Sequence, residues 1–130
     1  MFDTNIQVSA LIFPGGQAEK AVVRIIEGQD RLLIAKAILD ELLDVLARKF
    51  SRDKEELARV AVWLDEVSEW VFLKSRLHVL ADAADNRILE CAVNGGAAII
   101  VTGDRGLLQL GSFEGIRIIT LREYLVGRFR

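Results

Sequence analysis

Cysteine and histidine are nearly absent from this sequence, and their scarcity argues against disulfide bonds and against a histidine-activated nucleophile. The chain has one cysteine and one histidine in 130 residues. Cys91 alone cannot form an intramolecular disulfide, which fits a reducing cytoplasm, and we expect it to be a small buried helix residue. His78 has no serine or cysteine partner in a recognisable nucleophile motif, so we interpret it as loop surface rather than a catalytic base.

The sequence also lacks an excess of basic residues and any long apolar run. Its 17 Lys and Arg are outnumbered by 19 Asp and Glu, so the net charge of −2 does not indicate a basic nucleic-acid-binding face. No segment approaches membrane-spanning length, and no basic-then-apolar leader opens the chain. With 52% hydrophobic and 28% charged residues the composition is globular. We expect one soluble, cytoplasmic domain over residues 1–130.

Short apolar runs alternate with helical patterns along the chain. Besides a first strand that ends at Asp3, strands are predicted at 31–35, 70–73, 97–101 and 116–119. Helices are predicted at 6–13, 18–27, 38–50, 53–67, 85–94 and 121–129. This alternation predicts an α/β fold, in which a central parallel sheet lies between helices as an α/β/α three-layer sandwich.

The stretch from Asp85 to Leu108 carries the clearest indication of a site. Asp85 begins a predicted helix, yet it lies in line with the apolar stripe of Ile88, Leu89 and Ala92. An inward carboxylate is costly unless something compensates it. Two interpretations stay open at this point: Asp85 is the N-cap of the helix, or it belongs to a functional site.

Four acids are predicted to share the edge of the sheet where parallel strands end and helices begin. Asp3 and Asp104 follow strands, and Asp85 starts a helix. Glu41 lies early in the helix after strand 31–35, although Asp40 fits the helical periodicity equally well. Clustered carboxylates raise one another's pKa unless a cation neutralises them, and oxygen ligands suit Mg²⁺ or Mn²⁺. The predicted chemistry is metal-dependent phosphodiester cleavage.

Other polar and aromatic residues have simpler interpretations. Asp82 is read as a solvated or capping residue, and Glu90 as surface. Trp63 and Trp70 are read as core or interface residues rather than stacking platforms for bases. The cations that close a helix are read as helix-end charges: Arg48, Lys49 and Arg52.

Four motifs in order resemble the PIN-domain nucleases, and within them the branch of toxin components of toxin–antitoxin pairs. They are F-D-T-N-I-Q-V-S-A-L at 2–11, I-L-D-E-L-L-D-V-L-A-R at 38–48, D-N-R-I-L-E-C-A at 85–92 and V-T-G-D-R-G-L-L at 101–108. The similarity is collinear over nearly the whole chain and includes the P-G-G loop at 14–16.

The resemblance implies a Mg²⁺- or Mn²⁺-dependent ribonuclease acting on RNA, often a homodimer and often silenced by an antitoxin protein. It selects Glu41 over Asp40, and so gives a catalytic and metal-binding set of Asp3, Glu41, Asp85 and Asp104. It also implies that three further polar residues support the acids: Asn5, Ser9 and Thr102.

Two departures from the family pattern motivate a rival hypothesis. Gly106 stands where relatives frequently carry a further Asp, and only Met1 and Phe2 precede Asp3, so we expect a short first strand or a native start upstream. The rival is a catalytically impaired interaction module of the same fold. A phosphohydrolase with an aspartyl intermediate on Asp3 is a weaker alternative, because Asn5 occupies the place of that class's second Asp.

Overall fold

The computed structural model describes residues 1–28, 30–74 and 76–127, in which short strands alternate with helices. The strands are β1 (Leu32–Ile34), β2 (Ser68–Trp70), β3 (Ile99–Val101), β4 (Ser112–Phe113) and β5 (Ile116–Ile119). The helices are α1 (Thr4–Ile12), α2 (Gln17–Ile26), α3 (Lys36–Lys49), α4 (Lys54–Val67), α5 (Ala83–Asn94), α6 (Arg105–Leu110) and α7 (Leu121–Val126). The predicted α/β class is confirmed.

The strands pair mainly in parallel, in two small groups. β1 pairs with β2, and β3 pairs with β5, while the short β4 lies antiparallel on the other side of β5. Phe2 forms an isolated parallel bridge with Val101, flanked by backbone hydrogen bonds from Val101 N to the Met1 oxygen (2.8 Å) and from Asp3 N to the Val101 oxygen (3.1 Å). These bonds place Asp3 at the carboxyl end of β3, beside Thr102.

The core is built from the apolar faces that the sequence pattern predicts. Ile38, Leu42 and Leu46 repeat every four residues on α3 and are fully buried, as an amphipathic helix requires. Cys91 on α5 is buried, as expected. At the end of α5 a Cβ on Gly95 would lie 2.7 Å from the Leu33 side chain, so the glycine allows this helix to end close against β1.

Several element boundaries differ from the sequence prediction. The strand predicted at 70–73 is β2 at Ser68–Trp70, and a hydrogen bond from Val71 N to the Ile34 oxygen (2.8 Å) continues its pairing with β1. The sequence analysis predicted no helix or strand between residues 101 and 116, where the structure has helix α6 and the antiparallel strand β4. Predicted helix residues 128–129 lie outside the described residues. Among the helices of the described ranges, none is long and apolar enough to cross a membrane.

Candidate active site

Asp3 is buried where the first residues of the chain meet β3. Its Oδ1 accepts a hydrogen bond from Ile6 N (3.0 Å), so it is the N-cap of α1. The buried Thr102 hydroxyl donates to the other carboxylate oxygen, Oδ2, and itself accepts from Asp104 N (2.9 Å). Burial raises the pKa of Asp3, although the Thr102 hydrogen bond opposes the rise. Thr102 therefore connects two of the predicted acids.

Asp85 lies in the first turn of α5 and is not its cap. The cap is Asp82, whose Oδ1 accepts from Ala84 N (2.7 Å) and Asp85 N (3.3 Å), so the capping interpretation of Asp85 is wrong. The carboxyl of Asp85 hydrogen-bonds that of Asp104. Burial, followed by this hydrogen bond and the Asp104 charge, raises the pKa of Asp85 to about 7. Around neutral pH the Asp85 carboxyl is therefore protonated for part of the time and can donate to Asp104.

Glu41 reaches the same region from α3. Burial raises its pKa first, and the nearby charges of Asp82 and Asp3 raise it further. Asp40 is exposed and bound to Lys36 Nζ at 3.0 Å, which is a surface pair between successive helix turns. Of the two acids that the periodicity left open, Glu41 is therefore the one that faces the other carboxylates.

A small cavity of ≈ 30 Å³ brings three of the four acids together. It is lined by Asp3, Thr4, Asn5, Glu41, Ala84, Asp85 and Ile88. Asp104 borders this group through its hydrogen bond to Asp85. Of the predicted supporting residues, Thr102 binds Asp3 and Asn5 lines the cavity, whereas Ser9 lies farther along α1 and does not line it.

The donor chemistry of this cluster fits a hard divalent cation. Its side chains offer carboxylate oxygens, and the pKa values of Asp3, Glu41 and Asp85 are all raised, because burial and mutual repulsion disfavour the negative charges. In the described residues no three Asp, Glu, His or Cys side chains are close enough to hold a metal ion as they stand. The raised pKa of Asp85 lets a proton on that carboxyl relieve part of the repulsion that a bound cation would otherwise relieve.

Two polar residues of α5 are buried although the sequence analysis did not predict their burial. Glu90 was expected at the surface, but it is 1% exposed, binds Arg87 Nη2 at 2.5 Å and accepts from Leu77 N at 2.8 Å. Asn86 is also buried and binds the backbone of Val79 and Leu80. Helical periodicity missed both residues because residues 76–80 cover this face of the helix, and a helical wheel contains no such neighbour.

The remaining predicted roles are structural. The helix-end cations Arg48 and Arg52 form surface ion pairs with Asp44 (2.7 Å) and Glu56 (3.1 Å). Trp63 packs half-buried against the core, while the exposed Trp70 donates to Asp65 at 2.6 Å. Asp82 matters more than expected, because its charge raises the pKa of both Glu41 and Asp85.

Two comparisons relate this chain to known proteins. The uncharacterized protein MJ1680 of Methanocaldococcus jannaschii is similar to this chain, at 29% identity over 114 residues that cover 85% of this chain and 73% of that protein. A family model described as PIN domain matches residues 1–106, a range that contains all four acids. Proteins of that family are generally nucleases, and they typically use divalent metal ions. The chain belongs to the PIN-domain family.

Proposed function

We propose that this protein is a metal-dependent endoribonuclease that hydrolyses single-stranded RNA, with Asp3, Glu41, Asp85 and Asp104 as its catalytic and metal-binding acids. The observation that carries the proposal is the convergence of three of these acids on one cavity, with Asp104 hydrogen-bonded to the third. Family membership supports nuclease chemistry in general. The choice of RNA and of Mg²⁺ or Mn²⁺ is part of the proposal.

Each residue has a distinct part in the proposed reaction. The four carboxylates would hold the cation, which when bound activates a water molecule and stabilises charge on the phosphoryl group. Thr102 fixes the orientation of Asp3 and the backbone of Asp104, so that both are positioned before substrate arrives. Asp85, whose pKa is raised to about 7, has to lose its proton before all four acids are charged. Asn5 lines the cavity and would orient substrate or water.

The test is cleavage of a mixed pool of single-stranded RNA with Mg²⁺, with Mn²⁺ and with chelator. The Asp85→Asn variant, purified in parallel, controls for contaminating ribonuclease. We expect metal-dependent cleavage by the parent and a loss of roughly a hundredfold or more in the variant, because a charged acid of the cluster has been removed. Equal cleavage by both proteins would attribute the activity to a contaminant and contradict the proposal.

One observation favours the rival interaction module. A Cβ on Gly106 would lie 3.2 Å from Asp104 Oδ2 and 3.7 Å from Asp85 Oδ2, so this glycine occupies a position from which a further carboxylate would face the cluster. Without that acid, cation binding would be weaker. Isothermal titration with Mn²⁺ separates the two hypotheses: the nuclease predicts binding that Asp85→Asn abolishes, and the rival predicts no binding by the folded parent.

We further propose that the protein is a homodimer whose activity a cognate antitoxin suppresses, as the toxin of such a pair. Exposed apolar side chains support a protein contact: Phe13 at the end of α1 and Val62 on α4 are each 59% exposed. A groove of ≈ 310 Å³ is lined by neighbours of these residues, with Ile12, Val60 and Trp63 among its apolar walls and Arg52, Glu56 and Arg59 among its charged ones. Light scattering of the parent and of Val62→Asp tests the dimer, and a monomeric parent would contradict it.

A further inference from the structure

The segment that joins β2 to α5 presents two different faces. Val71, Leu73, Leu77 and Leu80 are half-buried and pack against the core. Four exposed side chains lie between them, at every second position of the sequence: Phe72, Lys74, Arg76 and His78. Phe72 is 83% exposed, the highest value among the exposed large apolar side chains of the described residues. This outward set of one aromatic and three basic residues is called the basic row below.

Buried polar groups of α5 hold the segment in place. Asn86 accepts hydrogen bonds from Val79 N (3.1 Å) and Leu80 N (2.9 Å) and donates to the Leu80 oxygen (2.8 Å). Glu90 accepts from Leu77 N (2.8 Å) while it is neutralised by Arg87. Burying an amide or a carboxylate is costly unless it is hydrogen-bonded, and these bonds offset that cost for Asn86 and for Oε2 of Glu90. Among the described residues Oε1 of Glu90 has no hydrogen-bond partner. The helix that carries Asp85 therefore fixes the basic row relative to the candidate active site.

In the part of the chain that the structure describes, no ion pair joins the basic row to a carboxylate. Many surface cations elsewhere are paired, as in Arg31–Glu69, Lys36–Asp40 and Arg52–Glu56. Within the described ranges Lys74 and Arg76 are exposed and belong to none of the ion pairs. They line a cavity of ≈ 210 Å³ together with Arg87 and Glu90, whose charges are paired with each other. The net charge of −2 does not indicate a basic face, because the acidic residues elsewhere in the chain outweigh this local group of basic residues.

We propose that the basic row binds the single-stranded RNA substrate. This inference rests on the proposed nuclease function and adds the surface that receives the strand. Lys74 and Arg76 would contact phosphates, and the Phe72 ring would stack on a base, which is the combination that single-strand binders use without base-specific hydrogen bonds. A protein partner is a poorer match, because three of the four outward side chains are cationic or imidazole groups that complement a polyanion.

The test measures binding separately from cleavage. Fluorescence anisotropy with a labelled single-stranded RNA is recorded for Asp85→Asn, for the same protein with Phe72→Ala, and for the same protein with Lys74→Ala and Arg76→Ala. Matched controls carry Ile26→Ala, or Lys20→Ala with Arg122→Ala, which remove an exposed apolar side chain or two exposed cations from α2 and α7. Metal-dependent cleavage is measured for the same row and control substitutions in proteins that keep the native Asp85.

We expect Phe72→Ala to weaken binding by roughly fivefold or more, as the loss of a stacked aromatic residue does. The double cation variant should reduce the slope of log K against log salt by about 1.4, since each phosphate contact on a single strand contributes about 0.7. The controls should bind like the background protein. Unchanged binding by both row variants, while the parent still cleaves RNA, would overturn the basic row and leave the nuclease standing, with Phe72 assigned to a protein contact. Absence of both binding and cleavage would overturn the two proposals together.

Discussion

Replacing Asp85 by Asn is expected to stabilise the metal-free protein at alkaline pH. The folded-state pKa of Asp85 is raised from 3.8 to about 7. The folded protein therefore binds the Asp85 proton more tightly than the unfolded chain does, and this contribution to stability is fully present below about pH 4. It is lost as the pH rises to about 7 and beyond. The asparagine side chain of the variant would remain neutral and could donate to Asp104 at every pH, as protonated Asp85 does.

The magnitude follows from the size of the pKa rise and the exposure of the group. A rise from 3.8 to about 7 sets an upper limit of about 4 kcal/mol. Asp85 is only half-buried, so solvent screening reduces the expected effect to about 1–2 kcal/mol. The raised pKa values of Asp3 and Glu41 act in the same direction. The buried amine of Met1, whose pKa is lowered to about 6, acts in the opposite direction, and all three are common to parent and variant.

Urea denaturation in chelator at about pH 5 and about pH 8 measures this effect. At the lower pH the parent keeps more than half of the Asp85 contribution, so the two proteins should differ less there, while at the higher pH the variant's midpoint should exceed the parent's by about 0.5–1 M urea. Mn²⁺ should restore the parent at the higher pH and leave the variant unchanged, because a bound cation would replace the missing proton. The same difference between parent and variant at both pH values would show that the Asp85 proton does not control stability.

Three further substitutions test the surroundings of the cluster. Thr102→Val removes the hydroxyl that joins Asp3 to Asp104 N, so it should lower the free energy of unfolding by about 1–3 kcal/mol in urea denaturation. It should also raise the pKa of Asp3 further in an NMR titration, and an unchanged Asp3 titration would argue against the hydrogen bond. Gly106→Asp places a carboxylate beside Asp104 and Asp85, so it should tighten Mn²⁺ binding several-fold by calorimetry, and weaker binding would show that the added side chain disrupts the site. Asn86→Leu leaves the backbone N–H groups of Val79 and Leu80 without their partner, so it should lower the free energy of unfolding by about 3 kcal/mol. It should also speed hydrogen exchange in residues 76–80, and slow exchange there would mean that other contacts hold the segment.

Local patterns were sufficient for most of the fold. The buried stripe of α3 and the β-branched run of β3 have the periodicities that define a helix and a buried strand, so their positions could be read directly. The boundaries of β2 could not be predicted, because its residues are half-buried or exposed and its pairing with β1 is what makes it a strand. Helix α6 was missed because it has only six residues and begins with an Asp cap that also fits a turn.

The candidate site was predicted to the extent that connectivity determines it. Parallel strands and the helices that follow them place Asp3, Asp85 and Asp104 at one edge, and the structure brings Glu41 there as well. The burial of Asn86 and Glu90 could not be predicted, because it depends on a loop that folds over α5 and has no periodic pattern of its own. The basic row was missed for the same reason. Its side chains are exposed together because Asn86 and Glu90 of α5 bind the backbone of the segment, and the sequence pattern does not show these contacts.

Diffraction from crystals grown with Mn²⁺, measured at the manganese absorption edge, would decide whether the acid cluster holds a catalytic divalent cation. We predict an anomalous difference peak bonded to oxygens of at least two among Asp3, Glu41, Asp85 and Asp104, with the hydrogen bond between Asp85 and Asp104 broken. The peak should be absent from Asp85→Asn crystals under the same conditions. No peak at the cluster, at a Mn²⁺ concentration that supports RNA cleavage in solution, would contradict a metal-binding role for these acids.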